Sequence, residues 1–233
     1  MPNFKTNAVL VGILLASSLS TGIFASFAVA QNAVVVPAPS VLEALSGTGM
    51  EKAVLAGGCF WGVQGVFQHV KGVHNAVSGY AGGKADTANY ETVSGGATGH
   101  AESVEITFDP HVVNYATLLQ IYFSVVQDPT ELNYQGPDRG TQYRSAIFPE
   151  NEAQAKVAKA YIEQLNKAAV FKAPIVTTIE PSKTFYAAEG YHQNYLTLHP
   201  TQPYIAANDI PKVKDLNRVF PGLYSEKPKL VKG

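Results

Sequence analysis

The apolar positions change period several times along the chain, and each change marks an element. Residues 53–56 (Ala-Val-Leu-Ala) form a short apolar run with strand character. Phe60, Val63, Val66, Phe67 and Val70 then recur at helical spacing. Residues 73–80 read as a strand that ends at Gly82-Gly83. In residues 101–108, Val104, Ile106 and Phe108 fall on every second position, so they share one face of a strand. Asp109-Pro110 stops that strand. Tyr115, Leu118, Leu119, Tyr122 and Phe123 then predict an amphipathic helix with Asn114 as N-cap. Residues 141–148 are a strand candidate, 151–169 a helix with exposed charges, 175–179 a strand, 185–198 a helix or ordered segment, and 209–220 a last short helix. Two stretches break the pattern. Residues 82–99 are rich in Gly, Ala, Ser and Thr, and residues 128–142 carry Asp128-Pro129 and Gly136-Pro137. Both predict long surface loops, which inside a compact domain are usually functional or disordered.

The order is roughly β-α-β, β-α-β, α-β, which predicts helices packed on a mixed sheet. No helix separates the strands on either side of 82–99, which argues against a purely parallel, doubly wound sheet. The expected fold is therefore α+β: a two-layer α/β sandwich of ferredoxin-like type with long active-site loops.

The ends add a processing expectation. Lys5 precedes an uncharged, apolar stretch from Ala8 to Val29, and Ala28-Val29-Ala30 is a small-x-small site followed by Gln31. Residues 1–30 read as a signal peptide. The competing reading is a retained anchor, but Ser17, Ser18, Ser20, Thr21 and Gly22 make a poor spanning helix. The mature protein is expected to be exported, to a periplasm in the first instance, without stable membrane insertion. Residues 31–50, rich in Ala, Val, Pro, Ser and Gly, read as a linker or an added arm. The organised domain is expected over 51–233 with a Pro-rich C-terminal tail, whose Lys227, Lys229 and Lys232 read as solvated. With 17 basic and 18 acidic residues, charge gives no support for nucleic-acid binding.

Candidate chemistry centres on Gly57-Gly58-Cys59-Phe60-Trp61-Gly62, which holds the single cysteine and the single tryptophan. One cysteine forms no internal disulfide. Opening a helix after a glycine turn, Cys59 is expected in an electropositive place that favours the thiolate, although a lone cysteine also serves as a small buried hydrophobe. Glu102 shares the apolar face of Val104, Ile106 and Phe108; desolvation there would keep it protonated and suit it to proton donation. If the strand end is wet, that inference lapses. Tyr90 is the one bulky aromatic of its loop, either functional or a pin to the core. Six scattered histidines and one cysteine give little basis for a metal site. His69, His74 and His111 read as surface residues, and His192 as a packing or hydrogen-bonding residue. Three readings stay open on the residues alone: redox chemistry at Cys59, acyl transfer or hydrolysis with a histidine as base, or a binding module with an incidental cysteine.

Gly58-Cys59-Phe60-Trp61-Gly62 resembles the signature of the A-type peptide methionine sulfoxide reductases (the MsrA family). Residues 79–83 (Gly-Tyr-Ala-Gly-Gly), 99–102 (Gly-His-Ala-Glu), 140–145 (Gly-Thr-Gln-Tyr-Arg-Ser) and 191–196 (Tyr-His-Gln-Asn-Tyr-Leu) resemble its other blocks, in order and at similar spacing, across about 53 to 200. The resemblance implies reduction of methionine S-sulfoxide, free or in proteins, to methionine. It implies Cys59 as nucleophile, Glu102 as proton donor, Tyr90 and Tyr143 as hydrogen-bond donors to the sulfoxide oxygen, and Phe60 and Trp61 as the cradle of the methyl group. Asp138 and His192 would belong to the substrate side of the pocket. It implies no bound cofactor. Many relatives carry further cysteines near the C-terminus, whereas the stretch 201–233 has none. An external thiol, from a thioredoxin-like protein or a small dithiol, is then expected to resolve the Cys59 sulfenic acid, and the enzyme is expected to act as a monomer on oxidised proteins and peptides.

Overall fold

The structure is a computed structural model, and it describes residue 1 and residues 33–43, 47, 49–181 and 184–232. The expected signal segment thus lies outside the described residues, apart from Met1. The first strand, β1 (Glu51–Gly57), leads through Gly58 into helix α1 (Phe60–Gln68), which returns the chain to β2 (Val73–Ala81). A loop holding the short helix α2 (Tyr90–Val93) leads to β3 (Ala101–Phe108). Helix α3 (Tyr115–Ile121) follows and runs on as a π-helical turn through Val126. The Asn114 side chain caps α3 as expected, accepting from Thr117 N–H at 2.8 Å. A two-stranded hairpin, β4 (Tyr134–Gln135) and β5 (Asp138–Arg139), precedes β6 (Ser145–Phe148) and the long helix α4 (Glu152–Lys167). Then come β7 (Thr178–Ile179), β8 (Tyr186–Ala187), α5 (Tyr195–Leu198) and α6 (Ile210–Val219).

The main sheet has six strands in the order β7-β6-β1-β3-β2-β8. Pairings β1–β3, β1–β6, β2–β3 and β2–β8 are antiparallel, and only β6–β7 is parallel. The central order β6-β1-β3-β2, with α1 between β1 and β2 and α3 between β3 and β6, is the split β-α-β arrangement of a ferredoxin-like sandwich. One face is covered by α1, α3 and α4, which enclose Leu55, Val63, Phe67, Ile106, Leu118 and Tyr161. The opposite face holds smaller residues, Val54, Ala56, Ala81, Ala101 and Ala146, with Phe148 and Phe185.

Several boundaries differ from the sequence reading. Residues 141–148 are not one strand: Thr141–Tyr143 is a 3₁₀ turn and only Ser145–Phe148 pairs. The run 185–198 splits into β8, a 3₁₀ turn at Gly190–His192, and α5. The loop at 82–99 contains a 3₁₀ turn and α2, the latter capped by Asn89 on Thr92 N–H. His74 and His111 are exposed, but His69 is buried. It accepts this position because the tail folds back: Ser225 N–H donates to His69 C=O, the His69 ring lies 2.8 Å from Ser225 C=O, and Tyr224 stacks on it. Lys229 N–H also bonds Gln68 C=O, so the C-terminal backbone is tied to the end of α1 while Lys227 and Lys229 stay exposed. Residues 33–43 are packed rather than free. Val36 is buried, Tyr161 O–H donates to Pro37 C=O at 2.7 Å, and Gln164 holds Ala38 and Ser40.

Candidate active site

The β1–α1 connection sets the site. Tyr122 O–H donates to Ala56 C=O at 2.7 Å and anchors the end of β1. Gly58 then turns with φ +89°, and a Cβ there would meet Gln135 Cβ at 2.6 Å, so only glycine lets the chain pass this side chain. Cys59 follows as the N-cap of α1.

Glu102 comes from the neighbouring part of the sheet. Its strand position turns it to the helix-covered face, as its phase predicts, and it is 3% exposed. Phe60 N–H, a free donor of the first turn of α1, donates to Glu102 Oε2 at 3.0 Å. This bond ties the carboxyl to the residue next to Cys59. Burial outweighs that bond, and with Asp138 and Asp209 also acting, the Glu102 pKa is raised to about 8.

Cys59, Phe60, Trp61, Tyr90, Glu102, Asp138 and Tyr143 together line one cavity of about 210 Å³, joined by Gln202 and Tyr204. The two loop tyrosines are brought together by stitches between their loops. Thr141 O–H donates to Gly96 C=O at 2.6 Å and Gln142 Nε2 to Ser94 C=O at 3.0 Å. Arg144 donates to Thr141 and Gly99 carbonyls and forms a two-point ion pair with Glu180. Glu189 holds the other side, accepting from Tyr90 N–H and from Tyr80 O–H, both at 2.9 Å. Burial raises the pKa of Tyr90 and of Tyr143, so both hydroxyls stay protonated donors.

Trp61 forms the apolar wall. It stacks on Tyr195 at 3.9 Å between ring centroids and 9° between planes. Its Nε1–H donates to His192 Nδ1 at 3.2 Å. His192 is buried and does not line the cavity; it stands behind Trp61 and Phe60, which corrects the expectation that it faces substrate. Burial lowers its pKa, keeping it neutral. With Nδ1 accepting the indole N–H, the neutral ring carries its own proton on Nε2, so it is not the base on Cys59 that acyl transfer requires. The following Gln193 and Asn194 hold this wall. Gln193 bridges Gln64 and both the Ser78 N–H and C=O, and Asn194 accepts from Gln68.

The electrostatics of Cys59 run opposite to the sequence reading. Its side chain makes no cap hydrogen bond, and its pKa is raised well above that of a free thiol. Burial is the largest cause, followed by Glu102, Asp209 and Asp138; these outweigh the N–H groups of the helix start. Sequence reasoning also missed Tyr204, whose O–H donates to Asp138 Oδ2, Gln202, which lines the cavity with it, and Asp209, which does not line the cavity but acts on Cys59 through its charge. Their only signal is the polar-aromatic run just before α6, in a segment whose prolines hide its pattern. Among the described residues no group of three or more His, Cys, Asp or Glu side chains is placed to hold a metal ion, and no helix is long and apolar enough to cross a membrane.

Comparison with known proteins gives one answer. The family model described as peptide methionine sulfoxide reductase matches residues 51–221. A Mesorhizobium japonicum protein named peptide methionine sulfoxide reductase MsrA 2 is 67% identical over 183 residues, covering 78% of this chain and 94% of that protein. A Synechocystis protein of the same name is 47% identical over 207 residues, covering 88% of this chain and 95% of its own. Among solved structures, reduced Mxr1 from Saccharomyces cerevisiae superposes with a TM-score of 0.60 at 32% identity, over 71% of this chain and 94% of that one. Methionine sulfoxide reductase A of Corynebacterium diphtheriae gives 0.56 at 29% identity, over 75% and 88%. With the site's geometry and these matches in agreement over nearly the whole sheet, the chain belongs to the peptide methionine sulfoxide reductase family and is an MsrA-type enzyme.

Proposed function

We propose that Cys59, Glu102, Tyr90 and Tyr143 carry out the reduction, with Phe60 and Trp61 receiving the methyl group. The observation that carries this assignment is the shared cavity in which a thiol, a buried carboxylic acid and two phenols meet one aromatic wall. A sulfoxide oxygen leaves poorly until it is protonated. Glu102, neutral below pH about 8, supplies that proton, and the tyrosine hydroxyls stabilise charge on the oxygen. The Cys59 sulfur bonds the sulfoxide sulfur as its own proton passes to the Glu102 carboxylate. The hydroxyl then passes from the substrate sulfur to the Cys59 sulfur. The S–O bond to substrate and the new sulfur–sulfur bond both break, and methionine departs with the electron pair of that sulfur–sulfur bond. The net change is thiol plus sulfoxide to sulfenic acid plus thioether, with Glu102 restored.

Donors on one side and a methyl slot on the other read the handedness of the sulfoxide sulfur, which supports selectivity for the S epimer. Such a pocket reads the side chain and little of its surroundings, so free and protein-bound methionine sulfoxide both serve. The reaction uses no bound cofactor. Cys59 is the chain's single cysteine, so an external thiol, either a thioredoxin-like protein or a small dithiol, resolves its sulfenic acid. The apolar stretch with Ala28-Val29-Ala30 supports export to the periplasm, with repair of oxidised proteins there. Turnover with a sulfoxide peptide and a small dithiol tests this. Activity should need added thiol, and Cys59→Ser should abolish it; turnover without thiol would contradict external resolution.

A further inference from the structure

Asp209 is the most deeply buried carboxylate that the reaction leaves unused. It is 0% exposed and lies beside α1, where a Cβ on Gly62 would overlap its Oδ1 and would sit 3.1 Å from Lys212 Nζ. The side chain therefore occupies the space that the missing Gly62 Cβ leaves, three residues along the helix from Cys59. Among the described residues its only cation is Lys212 Nζ, 3.4 Å from Oδ1, and neither carboxylate oxygen has a hydrogen bond of good geometry. Lys212 is itself mostly covered, with 16% of its side chain exposed. A buried ion pair with one loose contact gives little stability, so fold strength is a weak reason for its presence.

Its surroundings suggest another role. From the sheet, Glu102 faces Cys59; from the β4–β5 hairpin, Asp138; from the loops, Tyr90 and Tyr143; from the segment before α6, Tyr204; from α6 and its cap, Asp209 and Lys212. His192 adds a neutral ring behind Trp61. Among the described residues of this group Lys212 is the one cation, and it is paired with Asp209.

We propose that Asp209, held by Lys212 in the Gly62 notch, is a positioning residue that keeps Cys59 a neutral thiol and Glu102 a neutral acid until sulfoxide enters. This rests on the proposed roles of Cys59 and Glu102. A resting thiol is a poor nucleophile toward stray electrophiles, whereas the reaction needs both protons present at its start. The carboxylate beside the helix start opposes the dipole that would otherwise ionise the sulfur. Its removal should then lower the proton affinity of both groups, and the freed Lys212 charge should act in the same direction.

The test is the pH dependence of Cys59 alkylation by iodoacetamide in the purified full chain, with folding checked by circular dichroism. Asp209→Asn should move the alkylation midpoint to lower pH and raise the rate near pH 7.5 by ~10-fold. The alkaline fall in sulfoxide reduction should move to lower pH in parallel. Lys212→Met, which leaves Asp209 without its partner, should not speed alkylation. If Asp209→Asn does not fold, the neutral pair Asp209→Asn/Lys212→Met replaces it, and its midpoint must still fall. An unchanged midpoint in a folded variant overturns the proposal and leaves Asp209 a structural group. Because alkylation needs no sulfoxide, a failure of the reductase assignment would appear separately, as wild-type protein that alkylates but makes no methionine.

Discussion

A carboxyl group that is 3% exposed and bonded to one backbone N–H has to be neutral for much of the physiological range. Glu102→Gln keeps an acceptor for Phe60 N–H and loses the proton. It should fold normally, and its rate of sulfoxide reduction should fall ~10²–10⁴-fold in single-turnover assays. In the proposed role the acid must be protonated to act, so the wild-type rate should decline as pH rises through about 8. A pH–rate profile checks this; a flat profile up to pH 10 would remove Glu102 from the donor role. Tyr143→Phe should lower the maximal rate with little change in KM, since the proposed role of its hydroxyl is to act on charge that develops in the transition state. Glu102 was legible in the sequence because a strand's two-residue period puts it in phase with Val104, Ile106 and Phe108. The charge state of Cys59 was not. Two of the carboxylates that press on it, Asp138 and Asp209, lie far away in sequence and arrive through the hairpin and α6.

At the scale of elements, the glycine turn before α1 is the most demanding piece. Gly58→Ala would place a Cβ against Gln135 in a left-handed backbone and should destabilise the protein by ~1–3 kcal/mol. It should also cut the rate by more than its stability loss explains, because Cys59 moves with the turn. Thermal melts and single-turnover rates on the same preparation separate the two effects. The long periodic helices were legible; α4, for example, runs Glu152–Lys167 with Asn151 as cap, within the span the pattern predicts. Short elements were not. Helix α2 has four residues and owes its place to Asn89 and to Glu189, a partner almost a hundred positions away (|i−j| = 99). The 3₁₀ turn that aims Tyr143 depends likewise on Arg144 and its ion pair with Glu180. Tertiary contacts of this kind leave no local period to read.

Across the whole molecule, the arm and the tail close a sandwich whose central sheet order follows from the alternation of elements. Tyr161→Phe removes the bond that pins Pro37 and should cost about 1 kcal/mol, lowering Tm by ~2–4 °C with no loss of reductase activity. Differential scanning calorimetry with a parallel activity assay checks it. Glu102 also marks the stability of the fold. Its pKa is raised from 4.5 to about 8, so the native state holds a proton that the unfolded chain has released. Stability should therefore fall as pH rises from about 4.5 to about 8, with Asp209, raised to about 6, acting in the same direction over the lower part of that window. Denaturant melts of the wild type and Glu102→Gln should diverge across this range, the variant losing less stability toward alkaline pH.

The most direct measurement is a single turnover without reductant. The protein is mixed with an excess of a methionine-sulfoxide peptide as separated S and R epimers, and both the methionine formed and the mass state of Cys59 are quantified. The expected result is about one methionine per protein from the S epimer, none from the R epimer, and Cys59 trapped as a sulfenic acid. Folded protein with a free, titratable thiol that makes no methionine from either epimer, or makes it while Cys59 stays unmodified, would contradict the assignment of Cys59 as the sulfur that takes the oxygen.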